Sequence, residues 1–447
     1  MEKNDTKFSI ILITIAIALL FSILTTSGSS FINLSVSAQS KKQITLTTIL
    51  AEPRNRWDTL LSAALQKLEE KHPDIDIHIR NIILPYNSTR ANILTAISNQ
   101  TPIDLISVDQ IWLGDFAERG YLTDLTDYVK SWGRDSDWYP TNFDGGIYKG
   151  RVYGIWAWTD VRGLWYWKDL LNQAGVDPNS LTTWDGYIAS AKKLSTVLRP
   201  QGIEGVHLVG ANHSPDMWYP YLWMLGGDIL VQKDGHPTKE TYWFPAYNSS
   251  AGVKALQFLK EQVDAGIKPQ KNHFWGQEFA NRKFAAMLEG PWLLGFFPRE
   301  QWKSLEQQIG FIPVFPVPYK SNQSATMMGG WELSIAKTSQ NKDLAWELIS
   351  IMVEPNIIAP MIKQYGYIPT QKSIGEGVFS SQLKQTIPYY DQMVSMISIG
   401  RSRPSTPEYP QIADHIKQAI DEVYYGMKEP KQALDDAARK SAKVLGW

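Results

Sequence analysis

The sequence has no cysteine, few histidines and no recognised catalytic motif, and these absences exclude several classes of protein. Without Cys, this chain of 447 residues cannot form disulfides, thiolate metal sites, a cysteine nucleophile or a lipid-modified N-terminal cysteine. Its 7 His are scattered, and no GxxxxGK[ST], HExxH, GxSxG or GxGxxG motif occurs. We therefore expect neither a metal ion nor a cofactor.

The chain also lacks an excess of either charge. Its formal net charge is -1 and no long basic run is present, so a nucleic-acid partner is not expected. A hydrophobic content of 43% with 20% charged residues is typical of a globular protein. Because 447 residues exceed the usual size of one hydrophobic core, two lobes are expected. The 18 Trp either fill these cores or present flat faces to a ligand.

One long apolar run is present, at the N-terminus. Lys3 and Lys7 precede the apolar residues 8–24, and Val36-Ser37-Ala38 has the small-x-small pattern of a cleavage site. This order predicts a secretion signal over residues 1–38. The apolar run approaches membrane-spanning length, so an uncleaved N-terminal anchor is the alternative. Both interpretations place the remainder outside the cytoplasm.

The rest of the chain alternates between strand and helix patterns. Residues 43–50 and 75–83 alternate in hydrophobicity, and residues 57–71 between them have a helical period, which predicts a βαβ unit. Further helices are predicted at 184–198 and 249–265, and the fold class is therefore α/β.

Carboxylates, arginines and tryptophans recur together near the ends of apolar segments. Examples are Asp109 with Trp112, and Trp158 with Asp160. Aromatic faces can cover the C–H faces of a sugar, while charged groups hydrogen-bond strongly to its hydroxyls. Each residue also has a simpler interpretation: Trp112 can be packing, Asp109 a helix cap, and Arg403 the partner of a surface carboxylate.

In the segment FAAMLEGPWLLGFF, residues 284–297, an apolar strand pattern is interrupted by Glu289, Gly290, Pro291 and Trp292. We expect the core strand to end at Glu289 and Trp292 to turn out over a cleft.

Five segments, taken in order, resemble one family. They are IDLISVDQIWLGDFAERGYLTDLTDYV, GRVYGIWAWTDVRGLWYWKDLLNQAGVD, FANRKFAAMLEGPWLLG, GGWELSIAKTSQNKDLAWELISIMV and RPSTPEYPQIADHIKQAI. Together they look like the extracellular solute-binding proteins of sugar ABC importers, which include the maltose- and trehalose-binding proteins. The resemblance covers nearly all of the chain after residue 42.

The resemblance implies a type II periplasmic-binding-protein fold, in which two discontinuous α/β lobes are joined by a hinge and close on a sugar. The boundaries implied are 43–158 plus 325–367 for the N-terminal lobe and 159–324 plus 368–447 for the C-terminal lobe. The positions that match the family's sugar-contacting residues are Glu52, Arg90, Asp109, Trp158, Asp160, Trp292, Gly330, Trp331 and Arg403. Among them Trp292 is expected to stack on the sugar, and Gly330 to let the backbone approach a hydroxyl.

The function implied is capture of a small oligosaccharide of the trehalose or maltose type, followed by delivery to permease subunits coupled to a cytoplasmic ATPase. We expect a monomeric, non-enzymatic protein that contacts the membrane only through the permease or an uncleaved N-terminal helix. The alternative is a secreted glycosidase that uses Asp109 and Asp160 as its acid/base pair, since such enzymes need two carboxyl groups at a fixed separation.

Overall fold

The computed structural model describes residues 41–51, 54–209, 215–234, 243–270, 275–318 and 323–447. The predicted leader (1–38) and Glu52 lie outside these ranges. The strands are β1 Lys42–Ala51, β2 Ile75–Leu84, β3 Leu105–Asp109, β4 Ile147–Tyr148, β5 Arg151–Val152, β6 Ile155–Val161, β7 Gly163–Trp167, β8 Glu204–Val209, β9 Leu230–Gln232, β10 Trp243–Pro245, β11 Pro269–Gln270, β12 Phe284–Glu289, β13 Ile309–Ile312, β14 Thr326–Ile335, β15 Ile368–Pro369 and β16 Gly400–Arg401.

The α-helices are α1 Arg54–Lys71, α2 Tyr86–Ser98, α3 Gln110–Glu118, α4 Thr126–Trp132, α5 Pro140–Gly145, α6 Lys168–Gln173, α7 Trp184–Leu198, α8 Tyr219–Met224, α9 Ser250–Asp264, α10 Trp275–Ala280, α11 Trp302–Gln308, α12 Lys342–Met352, α13 Pro355–Tyr365, α14 Lys372–Gly375, α15 Ser380–Thr386, α16 Tyr390–Ser395, α17 Tyr409–Tyr424 and α18 Pro430–Val444. Two short 3₁₀ helices, Pro215–Met217 and Pro291–Phe296, border the site described below.

The first lobe is built on a seven-stranded mixed sheet. Its strand order is β15-β6-β14-β3-β1-β2, and β16 pairs with β14. Strands β1 and β3 are parallel, whereas β14 is antiparallel to both β3 and β6. Neighbouring residues Ile49 and Leu50 of β1 join different hydrophobic clusters, because successive side chains of a strand point to opposite faces. The centre of this sheet is therefore covered on both faces.

The second lobe is built on a five-stranded sheet with the order β11-β8-β12-β7-β13. Its central strand β12 is parallel to β8 and antiparallel to β7. All six residues of β12 are buried, including Glu289 at its end. Helix α7 packs on β8, and helix α9 packs against α8, α17 and α18. The second sheet therefore has its own helical cover.

The structure confirms the α/β fold class and most of the predicted elements. The βαβ unit forms as β1, α1 and β2, the helix at 184–198 forms as α7, and the strand before GPW ends at Glu289. The implied lobe boundaries remain predictions. The strand pairings show which residues near those boundaries belong to the first sheet. Residues 159–161 still belong to β6, and Ile368–Pro369 pairs with β6, so both lie in the first sheet.

Within the described ranges, no single helix is both long and apolar enough to span a membrane. Helices α12 and α13 satisfy that requirement only together, and they are bent by 60° at the break between them.

Candidate functional site

Strand β14 brings the predicted residues of the first lobe together. In its antiparallel pairing with β3, Trp331 lies opposite Asp109, and on its other side Gly329 lies opposite Asp160 of β6. Residues that are far apart in sequence are therefore neighbours across three adjacent strands. Asp109 is the last residue of β3 and the N-cap of helix α3, where its side chain accepts a hydrogen bond from the Ile111 amide.

A buried arginine joins Asp109 to the second lobe. Arg403 Nη2 lies 3.3 Å from Asp109 Oδ1, and Arg403 Nη1 lies 3.0 Å from Asp216 Oδ2. The Arg403 carbonyl accepts a 3.0 Å hydrogen bond from Gln110 Nε2, and Asp109 Oδ2 accepts one of 2.9 Å from the Tyr86 hydroxyl. We call Asp109, Arg403 and Asp216 the Arg403 group. It connects the end of β3 to the 3₁₀ helix after β8.

Burial controls the electrostatics of the Arg403 group. Asp109, Asp216 and Arg403 are 7%, 8% and 7% exposed. Burial raises the pKa of Asp109, while Arg403, Tyr86 and the Ile111 amide act in the opposite direction. The two aspartates raise the pKa of Arg403 above its ordinary value despite the opposing effect of its burial. A guanidinium between two carboxylates holds both in place through charge-assisted hydrogen bonds.

A second arginine also pairs with a carboxylate, at the point where the chain crosses from the first sheet to the second. Arg162 lies between β6 and β7, and its Nη1 donates a 2.7 Å hydrogen bond to Asp160 Oδ1. Its guanidinium carbon is 4.9 Å from the centroid of a Trp292 ring. Glu289, at the end of β12, is close enough to both charges for each to affect its pKa. We call Asp160, Arg162, Glu289 and Trp292 the Arg162 group.

Glu289 is a buried carboxyl group whose pKa lies near neutrality. It is 3% exposed and accepts a 2.9 Å hydrogen bond from the Gly290 amide. Burial raises the pKa of Glu289 to about 7; the Gly290 amide and Arg162 oppose this rise, and Asp160 adds to it.

The GPW turn shows why Gly290 is needed next to Trp292. A Cβ atom on Gly290 would lie 2.1, 2.3 and 2.5 Å from three adjacent ring atoms, Cζ3, Cη2 and Cε3 of Trp292. A point that is nearly equidistant from adjacent ring atoms lies over the face of the ring. One face of Trp292 therefore packs on the Gly290 backbone. Trp292 is only partly buried.

Gly329 is where the two arginine groups meet. A Cβ atom on this residue would lie 3.2 Å from Asp160 Oδ1 and 3.3 Å from Arg403 Nη2. The carboxylate of Asp160 and the guanidinium of Arg403 therefore lie on the same side of Gly329, around the position of the missing Cβ atom. Because Gly has no side chain, a ligand atom could approach both charges at this position.

Aromatic rings border the Arg403 group. Trp331 makes edge-to-face contacts with Tyr86 and Trp112, in each case with 5.9 Å between ring centroids. Trp331 is partly buried, and Tyr86 is 49% exposed. Trp112 is 5% exposed and packs in the core, whereas Tyr86 and Trp331 are the partly open rings beside Asp109 that can cover an apolar ligand face.

Two predicted residues have surroundings that differ from the expectation. Trp158 is 1% exposed, stacks on Tyr367 at 5.4 Å and contacts Trp57 at 4.9 Å, so its ring belongs to the core of the first lobe. The space beside Gly330 is also filled by protein: a Cβ atom there would lie 2.5 Å from the Trp158 carbonyl oxygen and 2.7 Å from Trp156 Nε1. Gly329, and not Gly330, faces the charged groups.

Arg90 lies on helix α2, where it forms an ion pair with the buried Asp115 of helix α3. Arg119 contacts the other oxygen of Asp115 at 2.5 Å. The guanidinium of Arg90 is therefore engaged by a carboxylate of its own lobe.

Sequence reasoning missed Arg162 and Gly329 as members of this site. A signal for Arg162 was present, because Asp160 and Arg162 are two residues apart at a strand end and therefore share a face. No comparable signal distinguishes Gly329 from Gly330. That distinction depends on the register of β14 against β6, which is irregular between Trp331 and Glu332.

Comparison with known proteins identifies the family. Residues 63–386, more than half of the chain, match the model of the bacterial extracellular solute-binding proteins, and the chain belongs to this family. A binding protein of Brucella abortus (strain 2308) is 23% identical over 94% of this chain and 97% of its own length. The arabinooligosaccharide-binding protein of Bacillus subtilis (strain 168) is 23% identical over 84% of this chain and 87% of its own.

The fold agrees with solved structures of such proteins. The GacH receptor of Streptomyces glaucescens, crystallised unliganded and with acarbose, superimposes with a TM-score of 0.75 at 22% identity, covering 90% of this chain and 98% of that receptor. At this identity the similarity establishes the fold, a type II binding-protein fold of two α/β lobes.

Proposed function

We propose that this protein is the extracytoplasmic substrate-binding component of an ABC importer, and that it captures a small neutral oligosaccharide between its lobes. Trehalose and maltose are the first ligands to test. Closure would be a population shift, favoured because the ligand contacts both lobes. The closed protein would then deliver the sugar to permease subunits coupled to a cytoplasmic ATPase, and we expect it to act as a monomer.

The observation that carries the proposal is the convergence at Gly329. The Arg403 group and the Arg162 group both reach the position that a side chain of this glycine would occupy, and each group joins a strand of the first sheet to residues outside that sheet. Trp331 borders the first group and Trp292 belongs to the second. Hydrogen-bonding charges beside aromatic faces suit a ligand with hydroxyl edges and apolar faces.

The ion pairing of the site favours a neutral ligand. Asp109 and Asp216 share Arg403, and Asp160 pairs with Arg162, so each of the three aspartates has a guanidinium partner. A neutral sugar can exchange hydrogen bonds with these groups without taking the partner of any of them. One relative is named for arabinooligosaccharides, and the GacH receptor was crystallised with acarbose, which supports the oligosaccharide class.

The direct test is isothermal titration of the purified protein with a panel of disaccharides and trisaccharides, including trehalose and maltose. We expect at least one sugar to bind with a 1:1 stoichiometry. A solvent-exposed ion pair provides a control: Arg401, with Asp228, should tolerate Gln without loss of affinity. If no sugar binds even at millimolar concentration while a peptide, polyamine or anion does, the ligand class is wrong.

The glycosidase alternative rests on Asp109 and Asp160. The raised pKa of Asp109 is the feature that a general acid would need. Turnover of a chromogenic glycoside that is lost in Asp160→Asn would support catalysis. Recovery of the bound sugar unchanged after prolonged incubation would reject it.

A further inference from the structure

We propose that Arg162 is a positioning residue for the sugar site: from the crossing between the lobes, it holds Asp160 of the first lobe and Trp292 of the second in one fixed arrangement. The inference rests on the proposed function, because it concerns how two candidate sugar contacts are oriented. Arg162 itself is 9% exposed and is not expected to be the main contact with the ligand.

The backbone amide and the backbone carbonyl of Arg162 are both hydrogen-bonded to the hydroxyl of one threonine. Its amide donates a 3.0 Å hydrogen bond to Thr326 Oγ1, and the same hydroxyl donates a 2.7 Å hydrogen bond to the Arg162 carbonyl. Thr326 begins β14, so the two crossing segments of the chain are joined at this point. The Cα of Arg162 therefore has a defined position relative to both sheets.

The side chain of Arg162 then connects strand β6 of the first lobe to the 3₁₀ helix Pro291–Phe296 of the second lobe. On the first-lobe side, Nη1 donates to Asp160 Oδ1 at 2.7 Å and lies 3.4 Å from the Met327 carbonyl. On the second-lobe side, the guanidinium lies over Trp292 at 4.9 Å. A guanidinium is suited to this double contact because it is planar, always charged, and able to stack and donate hydrogen bonds at the same time.

The same contacts limit where Trp292 can go. One face of its ring packs on the Gly290 backbone, and the guanidinium carbon of Arg162 lies 4.9 Å from a ring centroid. These two contacts hold the ring in a geometry that does not have to be ordered when the sugar binds. Preorganisation of this kind increases affinity by lowering the entropy lost on binding.

A series of Arg162 variants distinguishes an effect on the orientation of the sugar site from an effect on the stability of the fold. Arg162→Gln should lower the affinity for the sugar that the wild type binds by about 10- to 100-fold, since a neutral amide neither pairs strongly with Asp160 nor stacks as a cation. Arg162→Lys should recover part of the loss, because it restores the charge without the planar fork. Thermal melting of each variant, with titration at a temperature where all are folded, excludes loss of protein as the cause.

A double-mutant cycle on affinity tests whether Arg162 acts through Trp292. Trp292→Leu should weaken binding by about 10-fold or more in the wild type but by less than about 3-fold in Arg162→Gln, because coupled residues are not additive. Arg282→Gln is the matched control: Arg282 also lies over a tryptophan, Trp167 at 4.3 Å, and pairs with an aspartate, Asp169, but in an exposed part of the second lobe.

The outcomes are distinguishable from failure of the proposed function. If the wild type binds no sugar, the proposed function fails and this inference fails with it. If the wild type binds sugar while Arg162→Gln binds within about 3-fold of it, or if the two substitutions are additive, positioning by Arg162 is wrong and the proposed function stands.

Discussion

The two arginine groups contain nearly the same residue types, yet they differ in which carboxyl group is paired. In the Arg403 group both aspartates contact the guanidinium directly. In the Arg162 group only Asp160 does so, and Glu289 bonds to the backbone of Gly290 instead. Composition alone therefore does not fix the ionisation of a buried carboxyl. Burial raises the pKa of both Asp109 and Glu289; contact with the Arg403 guanidinium is the main opposing effect at Asp109, whereas the Gly290 amide is the main one at Glu289.

The largest effect should come from removing the cation of the Arg403 group. Arg403→Gln leaves Asp109 and Asp216 buried without their counter-charge, and breaking such a pair costs about 3–5 kcal/mol of folding free energy. We also expect the affinity for sugar to fall by at least about 100-fold, since the group connects both lobes. Urea denaturation and calorimetric titration measure the two effects.

The control for that variant is Arg401→Gln, two residues earlier in the chain. Arg401 pairs with Asp228 at the surface, where such a pair contributes about 0–1 kcal/mol. Equal destabilisation by the two substitutions would mean that burial does not distinguish these arginines.

Trp158 and Trp292 test whether a tryptophan of the core and one of the candidate site differ in their effects on stability and on sugar affinity. Trp158→Ala removes a ring that is 1% exposed, and it should destabilise the protein by about 3–5 kcal/mol. Trp292→Ala should instead weaken sugar binding by about 1–3 kcal/mol, by analogy with stacking on other flat ligands, with a smaller change in stability. Thermal unfolding and titration of both variants measure this. The reverse pattern, with Trp292→Ala unfolding and Trp158→Ala losing affinity, would contradict the assignment.

Glu289 tests the electrostatic difference between the groups. Its pKa is about 7 in the folded protein against an ordinary value of 4.5, so between these pH values the folded state keeps a proton that the unfolded chain has lost. Stability therefore falls as pH rises from 4.5 to about 7, by up to about 3 kcal/mol, and levels off above.

Glu289→Gln should remove this dependence, so its advantage over the wild type should be largest at pH 8 and disappear near pH 4.5. Urea denaturation across pH measures the difference, with the exposed Glu300→Gln as control. A gain that is constant with pH would show that Glu289 is not the responsible group.

The smallest effect concerns the two glycines. Gly330→Ala places a methyl group 2.5 Å from the Trp158 carbonyl oxygen, so β14 must shift and stability should fall by about 1–3 kcal/mol. At Gly329 the nearest atom is 3.2 Å away, on Asp160, so we expect Gly329→Ala to fold and to lose mainly sugar affinity. Melting temperature and affinity, measured for both, decide between them; loss of affinity only in Gly330→Ala would restore the original expectation.

Much of the fold could be predicted because it follows from short-range patterns. Hydrophobic alternation over 43–50 and 75–83, and the helical period between them, depend on neighbours a few residues apart, and both predictions agree with β1, α1 and β2. The end of β12 at Glu289 was equally visible, because Gly290 and Pro291 interrupt the strand. The family could be proposed from ordered motifs for the same reason.

The site was only partly predictable, because its contacts join distant parts of the chain. Arg403 meets Asp109 across 294 positions and Asp216 across 187, and no local pattern encodes either pairing. Sequence could nominate Trp158 and Trp292 equally, since both are tryptophans near the ends of apolar segments. Only the packing of Trp57 and Tyr367 assigns one ring to the core.

Local patterns thus account for the alternation of strands and helices, the place where β12 stops, and the residue types available near the cleft. Long-range contacts account for which carboxyl groups share a guanidinium, which glycine faces the charges, and where Arg162 lies. The two kinds of information differ in range, because backbone periodicity depends on adjacent residues, whereas burial and ion pairing depend on which strands the folded sheets place side by side.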